Sequence, residues 1–539
     1  MFFSISFKIS LAIFVLGTLY RIINWFRFKI GTDALSFTMI DRIKSGVIGI
    51  FKTIFSLKIF SIIKVLILDV VLQIKIIRAD KWRWIMHMCI FYGFMLLLLM
   101  HAFENQITKA LFKNYASTLN PFMFLRNLFG AIVIFGVLIA VLRRKKTPKI
   151  LTNAHDSFAI FLLFSIMLSG FVLEGLKIIS SPIFDEMVSS YISGSDDITP
   201  LKAYWAKKFH VVFKEKININ DEKLLSEGES SHIDNCASCH SMPETAFISY
   251  PFAVSFKHFG NTLNDFRVDR WLWYFHVLSC FLGLAYLPFS KFFHILSTPI
   301  NLLLEPAEEE KNKVTSRIIG MDACTHCGVC TENCSVAQIY QVTQNPNILP
   351  SEKLASIKLL SRGKKVEREK LNEIAEGSFI CTNCYRCTKV CPSGINLDDL
   401  WTASKNTLIQ QGYFEPHNWI AQKSPSEWAE TVKKKKDEPS DLIDNPEIFY
   451  GCVQCSTCAS VCPVVAASNG NEIDLTPQQV MNLLRMGLKD LAMASKMVWN
   501  CTTCYMCEEN CPQGIRVTDI FYELRNKAYI RFKDVKENV

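Results

Sequence analysis

No G-x-G-x-x-G fingerprint and no other plausible flavin or nicotinamide site occurs in the 539 residues of this chain, so no nucleotide-dependent catalytic centre is expected on it. No two cysteines are adjacent. Of 20, 16 fall in four evenly spaced runs and two in a fifth motif, leaving Cys89 and Cys280 inside apolar segments. Those two read as inert buried thiols, and nothing is left from which to build a disulfide framework. The first apolar stretch has neither a basic start nor a small-residue cleavage site, so a cleaved signal peptide is not expected. Basic residues outnumber acidic ones by 59 to 50, a formal charge of +9, yet they flank apolar segments as topology signals do. Nucleic acid is therefore not an expected partner.

What is abundant is one spacing. Cys324, Cys327, Cys330 and Cys334 spell C-x-x-C-x-x-C-x-x-x-C, as do Cys381, Cys384, Cys387 and Cys391, then Cys452, Cys455, Cys458 and Cys462, then Cys501, Cys504, Cys507 and Cys511. This spacing holds [4Fe-4S] clusters: three thiolates wrap one cubane, and in two-cluster ferredoxins the fourth reaches the partner cluster. Runs therefore pair, and four runs imply four clusters. Cys391 is expected to complete the first set and Cys334 the second, with Cys511 and Cys462 exchanged likewise. Pro392, Pro463 and Pro512 follow the fourth cysteine of the last three runs, whereas Ser335 follows Cys334. Structural zinc sites use separated C-x-x-C pairs with variable gaps. Reduced, cluster-bound cysteines fit a reducing cytoplasm.

Hydrophobic residues make up 50% of the chain, and Phe alone counts 40, too apolar for a purely soluble iron-sulfur protein. Five stretches, about 7–26, 83–103, 121–142, 157–179 and 271–293, are apolar for the length that spans a bilayer. A further segment, about 47–77, carries Lys52, Lys58, Lys64, Asp69 and Lys75 at intervals. Charges at the bilayer centre cost several kcal/mol each, so it reads as an amphipathic helix along the interface. Arg27, Lys29, Arg42, Lys44, Arg78 and Lys81 precede the second span, and Arg143, Arg144, Lys145, Lys146 and Lys149 follow the third. Both loops are expected in the cytoplasm. The loop at about 180–270 is then outside, and everything after about 294 is inside.

That outer loop contains Cys236-Ala237-Ser238-Cys239-His240, the C-x-x-C-H attachment motif of a c-type haem, with His240 as one axial ligand. The sixth ligand stays open among His210, His232, Met242 and His258. Histidines inside spans are costly and usually functional. His87 and His101 stand 14 residues apart on the second span, roughly 21 Å of helical rise, and His276 and His294 stand 18 apart on the fifth, roughly 27 Å. The two spans run antiparallel, so His87 should meet His294 near the cytoplasm and His101 should meet His276 near the outside. Two such pairs suit two bis-histidine b haems. The unequal spacings require tilt, and His155 could replace one ligand. Gly93 lies between His87 and His101, where a missing side chain would admit a porphyrin.

Residues 1–305 resemble the membrane subunit of respiratory nitrate reductase and the cytochrome b subunit of heterodisulfide reductase, through Gly17-Thr18-Leu19-Tyr20-Arg21, Trp84-Ile85-Met86-His87, Trp273-Tyr274-Phe275-His276, Leu287-Pro288-Phe289-Ser290-Lys291 and His294. That resemblance implies two b haems and exchange with membrane quinones, menaquinone being the candidate. Residues at about 440–530 resemble the C-type iron-sulfur subunit of heterodisulfide reductase, and those at about 315–415 a more divergent copy. The expected fold is an all-α membrane bundle of about five helices (1–305) with a haem c insert (180–270). Two mainly helical dicluster ferredoxin domains follow, at 306–417 and 448–539, joined by a polar linker at 418–447 that holds Lys433 to Lys436 and Pro439. Stretches such as 353–376 and 477–493 read as helices. The expected function is an electron-transfer subunit of a respiratory oxidoreductase. It would join haem c or the quinone pool, through two b haems and four clusters, to a cytoplasmic catalytic subunit of heterodisulfide-reductase type, with a periplasmic cytochrome c as an outer partner. The alternative is a self-contained quinone oxidoreductase serving a soluble carrier. A redox sensor would need no haem ladder across a membrane.

Overall fold

The computed structural model describes residues 2–146, 154–192, 197–307, 312–363, 365–413, 439–468 and 473–537. The side chain of His155 and most of the linker, Lys433 to Lys436 included, lie outside the described residues. Every regular element among them is helical, with no strand. They form two compact units, Met1–Thr407 and Leu408–Val539.

In the first unit, five helices are long and apolar enough to cross a membrane: Phe2–Arg27, Lys81–His101, Phe122–Lys145, Ser157–Ile179 and Val268–Phe289. Neighbours pack in the order second, third, fourth, fifth, first. Small residues allow the close approaches. A Cβ on Gly136 would stand 2.8 Å from Ile90 Cγ1 and 3.0 Å from the Met86 carbonyl. Gly93 serves the same seam: a Cβ there would stand 2.8 Å from Val133 Cγ2 and 2.9 Å from the Phe129 carbonyl. Its missing side chain thus admits the third span, not a porphyrin as the sequence suggested. Asp80 caps the second span, accepting from Arg83 N at 3.0 Å, and Arg143 at the end of the third span binds the same carboxylate at 2.5 Å.

Two expectations about helix continuity change. The segment at 47–77 is broken: helices Met39–Ile54, Lys58–Val65 and Ile74–Ala79 are separated by turns, with Leu66–Val71 wound as a π-helix. The fifth span stops too. Pro288 lacks an N–H, and single turns at Leu287–Phe289 and Lys291–Phe293 lead into a new helix, His294–Leu304. His294 therefore does not lie five straight turns from His276.

The first cysteine domain is docked on the membrane helices within this unit. Arg42 is 1% exposed and donates to the carbonyls of Trp25 (2.6 Å), Phe26 (2.9 Å) and Phe28 (2.6 Å), closing the end of the first span, and to Thr315 Oγ1 at 3.1 Å. Burial lowers its guanidinium only to about 10, so it keeps its charge at neutral pH. Bonds of this charged kind contribute about 1.5–3 kcal/mol each. Asp322, two residues before Cys324, binds Trp25 Nε1 at 2.8 Å, Arg21 at 3.1 Å and Lys358. Ser297 and Thr298 donate to the carbonyls of Asp322 and Ala323 at 2.9 and 3.0 Å, and Asn301 donates to those of Ser393 and Gly394 at 2.9 and 3.1 Å. The helix that begins at His294 thus clamps the peptide preceding the first cluster run.

The second unit repeats the cysteine fold alone. A capping box between Thr476 and Gln479 starts the helix Pro477–Arg485, whose Val480, Met481 and Leu484 pack with Met493, Met497, Ile520, Phe521 and Leu524. In both units the stretch between paired runs includes a pair of helices, Pro350–Ser361 with Arg368–Phe379 and Pro477–Arg485 with Lys489–Ala494. Gly363 and Gly487, left-handed at φ 63° and 73°, end the first helix of each pair.

Candidate functional site

All four cysteine runs share one backbone bend. The second and fourth residues after each first cysteine are left-handed: His326 and Gly328, Asn383 and Tyr385, Gln454 and Ser456, Thr503 and Tyr505, with φ from 51° to 82°. Seven of the eight are not glycine, so the bend is kept against local strain. Such alternation turns successive N–H groups into one concavity, the kind of nest that holds anionic iron-sulfur centres. Composition shows no glycine signal for it, which is why sequence reading missed it.

Hollows in the second unit are lined by Cys462, Cys501, Cys504 and Cys507, and by Cys452, Cys455, Cys458 and Cys511. In the first unit, burial and then the neighbouring Cys327, Cys324 and Cys391 push the Cys330 thiol far up, and burial lifts Cys391 to about 12, with Cys327 and Cys324 adding to it. Cys334 is raised by burial and by Cys381 and Cys384. The fourth cysteine of each run is thus brought to the opposite run's triad. No three His, Cys, Asp or Glu side chains among the described residues converge as for a single metal ion. Three thiolates of one run joined by the fourth of its partner is the ligand set of a two-cluster ferredoxin. Cys391→Ser should therefore disturb the paramagnetic signal of the first-run cluster and leave that of the second largely intact. The converse pattern, read by EPR of the reduced chain, would show that the fourth cysteine stays with its own run.

Each run also has a cation on the carbonyl of a cluster cysteine. Lys405 donates to Cys381 at 2.8 Å, Arg525 to Cys501 at 2.5 Å and Arg485 to Cys452 at 2.9 Å. The run beginning at Cys324 takes its cation from the second membrane span: Arg83, one turn before His87, donates to the Cys327 carbonyl at 2.8 Å.

The span histidines meet in two pairs. Ring centroids of His87 and His294 are 6.1 Å apart, and those of His101 and His276 are 6.4 Å apart. Two imidazoles on opposite sides of one iron, each nitrogen about 2 Å from it, lie about 6 Å centroid to centroid, so both pairs fit a bis-histidine haem. The break after Pro288 is what makes His294 level with His87 despite the unequal spacing. Nδ1 of His87 meets Gln73 Oε1 at 2.6 Å, that of His294 the Lys291 carbonyl at 2.6 Å, and that of His276 Ser169 Oγ at 3.0 Å. Such partners fix ring orientation and leave Nε2 for a metal. Nδ1 of His101 faces Arg126 Nη2 at 3.4 Å. Cys89 and Cys280 both lie within membrane-length spans, and Cys280 Sγ stands 3.9 Å from His276 Nε2.

Backbone bonds from Cys239 N and His240 N to the Cys236 carbonyl, 3.1 and 3.0 Å, form one turn and place Cys236, Cys239 and His240 on a single face. Cys236 is buried among Phe184, Tyr204, Trp205 and Phe209. Trp205 Nε1 and His232 Nδ1 are buried there without partners, and the His232 and His240 rings both lie against Trp205, at 5.8 and 5.4 Å. An apolar box with unpaired polar atoms suits a haem edge. Of the open sixth ligands, His210 is bonded to Tyr250 (2.7 Å) and Lys257 (3.2 Å), Met242 is 40% exposed, His258 is exposed and His232 is buried. The motif is tied to the membrane bundle. Thr118 Oγ1 donates to the Cys239 carbonyl at 2.6 Å, Ser241 N donates to the Thr118 carbonyl at 3.0 Å, and Arg126, which faces His101, donates to the Ser117 carbonyl at 3.1 Å.

Comparison with known proteins agrees with this layout at a coarser level. Residues 63–204 match the HdrE family, the E-type subunit of dihydromethanophenazine:CoB--CoM heterodisulfide reductase, and residues 320–395 and 448–515 match the 4Fe-4S dicluster domain. An EtfAB:quinone oxidoreductase of Syntrophomonas wolfei is 22% identical over 397 residues, covering 63% of this chain and 48% of that protein. The C-type subunit of the H(2):CoB-CoM heterodisulfide,ferredoxin reductase of Methanothermobacter thermautotrophicus is 35% identical over 97 residues, 18% of this chain and 49% of that one. The C-type iron-sulfur subunit of the CoB--CoM heterodisulfide reductase of Methanopyrus kandleri is 38% identical over 98 residues, 17% and 48% respectively. The chain thus spans about half the length of these curated relatives. No solved structure matches. The chain thus has a membrane region like that of the HdrE family and two 4Fe-4S dicluster domains like those of the C-type iron-sulfur subunits.

Proposed function

We propose that this chain is a transmembrane electron conduit, with a c-type haem outside, two b haems across the bilayer and four clusters in the cytoplasm. The observation that carries the reading is that single arginines join the candidate ligands of successive carriers. Arg83 links the His87 turn to the Cys327 carbonyl, and Arg126 links His101 to the loop that holds Cys239. Bound at these residues, the haems and clusters supply one-electron carriers and no bond-making chemistry. His87 with His294, and His101 with His276, would hold the two b haems through their Nε2 atoms. Cys236 and Cys239 would supply the thioether sulfurs and His240 an imidazole. Arg83 and the Asp322 clamp fix the distance from the membrane to the first cluster set. The positive-inside pattern sets the orientation. A cytoplasmic catalytic subunit of heterodisulfide-reductase type takes or gives electrons at the cluster end, and a periplasmic cytochrome c serves the outer end.

A second reading, exchange with menaquinone beside a histidine pair, is favoured by the quinone named for the Syntrophomonas relative. Stopped-flow measurements on the purified full chain separate the two readings. Oxidised soluble cytochrome c, mixed with the chemically prereduced chain, should reoxidise the clusters rapidly in the wild type and much more slowly after His101→Leu. Equal rates of cluster reoxidation in that variant would sink the conduit, and catalytic reduction of the histidine-held centres by a menaquinol analogue would establish the second reading.

A further inference from the structure

Lys353, in the helix Pro350–Ser361, is 1% exposed, a rare place for an ammonium. Its Nζ stands 5.2 Å over the Trp401 ring, whose indole N–H donates to Cys387 Sγ at 3.4 Å. Burial works against its charge, and the thiols of Cys381, Cys334 and Cys387 work for it; Lys405 is the other cation acting there. The second unit is an internal comparison. Lys353 and Pro477 each lie ten residues before the glycine that ends their helix, Gly363 and Gly487. Pro477 lines the hollow of Cys462, Cys501, Cys504 and Cys507, the positions matching Cys334, Cys381, Cys384 and Cys387. Lys405 is matched by Arg525, each 24 residues after the cysteine whose carbonyl it binds. That cation therefore cancels between the two sites. Arg386 and Lys389, which stand where the second unit has Met506 and Glu509, are exposed and screened by water, so the buried ammonium is the difference that screening leaves.

We propose that Lys353 raises the reduction potential of the cluster held by Cys381, Cys384, Cys387 and Cys334 above that of its counterpart in the second unit. Reduction adds one electron, supplied by the neighbouring first-run cluster, and moves no bond or proton. A buried cation stabilises the added negative charge more than it does the oxidised cluster, because little water screens it. The proposal rests on the clusters and not on the haems.

The test is an EPR-monitored redox titration of the detergent-purified full chain, with signals assigned by Cys384→Ser and Cys504→Ser. In the wild type, the signal lost in Cys384→Ser should titrate above the signal lost in Cys504→Ser. Lys353→Met should shift only the former. Its reduced-to-oxidised ratio at fixed potential should fall at least tenfold, about 59 mV for a one-electron couple. Lys353→Arg should hold the wild-type value. Equal or inverted wild-type potentials, an unmoved signal in Lys353→Met, or the same fall in Lys353→Arg would overturn the proposal. If Lys353→Met loses that cluster, seen as about four fewer irons, the wild-type order and the Lys353→Arg titration decide.

Discussion

A denaturing gel stained for haem should mark this chain, and replacing Cys236 and Cys239 together by alanine should abolish the stain while the spectra of the histidine-held haems persist. The effect is all or none because thioether bonds are covalent, whereas a haem held only by imidazoles leaves when the chain unfolds. Cys236, Cys239 and His240 share one turn, with Cys236 packed into the aromatic box of Trp205 and Phe209. A haem attached there would therefore meet both sulfurs and the imidazole from one turn of chain. His240→Ala should leave the stain and change the spectrum, since the covalent links remain. A wild-type chain that does not stain, made with a competent maturation system, removes the outer carrier from the conduit.

Single replacements at the histidine pairs should each erase one whole b-type component. His87→Leu and His294→Leu should remove the same cytoplasmic-side haem, and His101→Leu and His276→Leu the same outer one, because each iron loses one of its two axial ligands. Pairwise identity is the sharp part of this expectation. The rings meet at 6.1 and 6.4 Å, and each pair draws on the second span and on the fifth span or the helix just beyond it. Difference spectra of the four variants, with potentiometric titration to separate the components, provide the check. If His87→Leu and His294→Leu erase different components, the pairing fails, and His155 becomes the first alternative partner.

Much of this layout is legible in short-range pattern. Cluster runs, the C-x-x-C-H turn and the five apolar spans each depend on residues within about twenty positions of one another, and the chain's own geometry fixes what such spacings can do. Depth along a helix is local too, which is why His87 and His101 could be placed near opposite surfaces. The failures were also local rules extended too far. Gly93 was assigned to a porphyrin because it lies between two histidines, but which surface a glycine opens depends on the helix packed against it, and Val133 and Phe129 occupy that surface.

By itself the sequence determined that this chain has five membrane-length apolar spans and two 4Fe-4S dicluster domains, and it put a C-x-x-C-H turn in the fourth-to-fifth loop and histidines at two depths of the spans. Tertiary structure alone decided that the fifth span ends at Pro288, so that His294 begins another helix and still comes level with His87. It also decided that Asp322, Arg42 and Arg83 hold the first cysteine domain against the membrane helices, and that Lys353 is buried beside one cluster and matched by Pro477 at the other. The physical reason is sequence separation. Trp25 and Asp322 are 297 residues apart, and Arg83 and Cys327 are 244 apart. No periodicity spans such distances, and only the packed fold brings those charges and carbonyls within hydrogen-bonding reach.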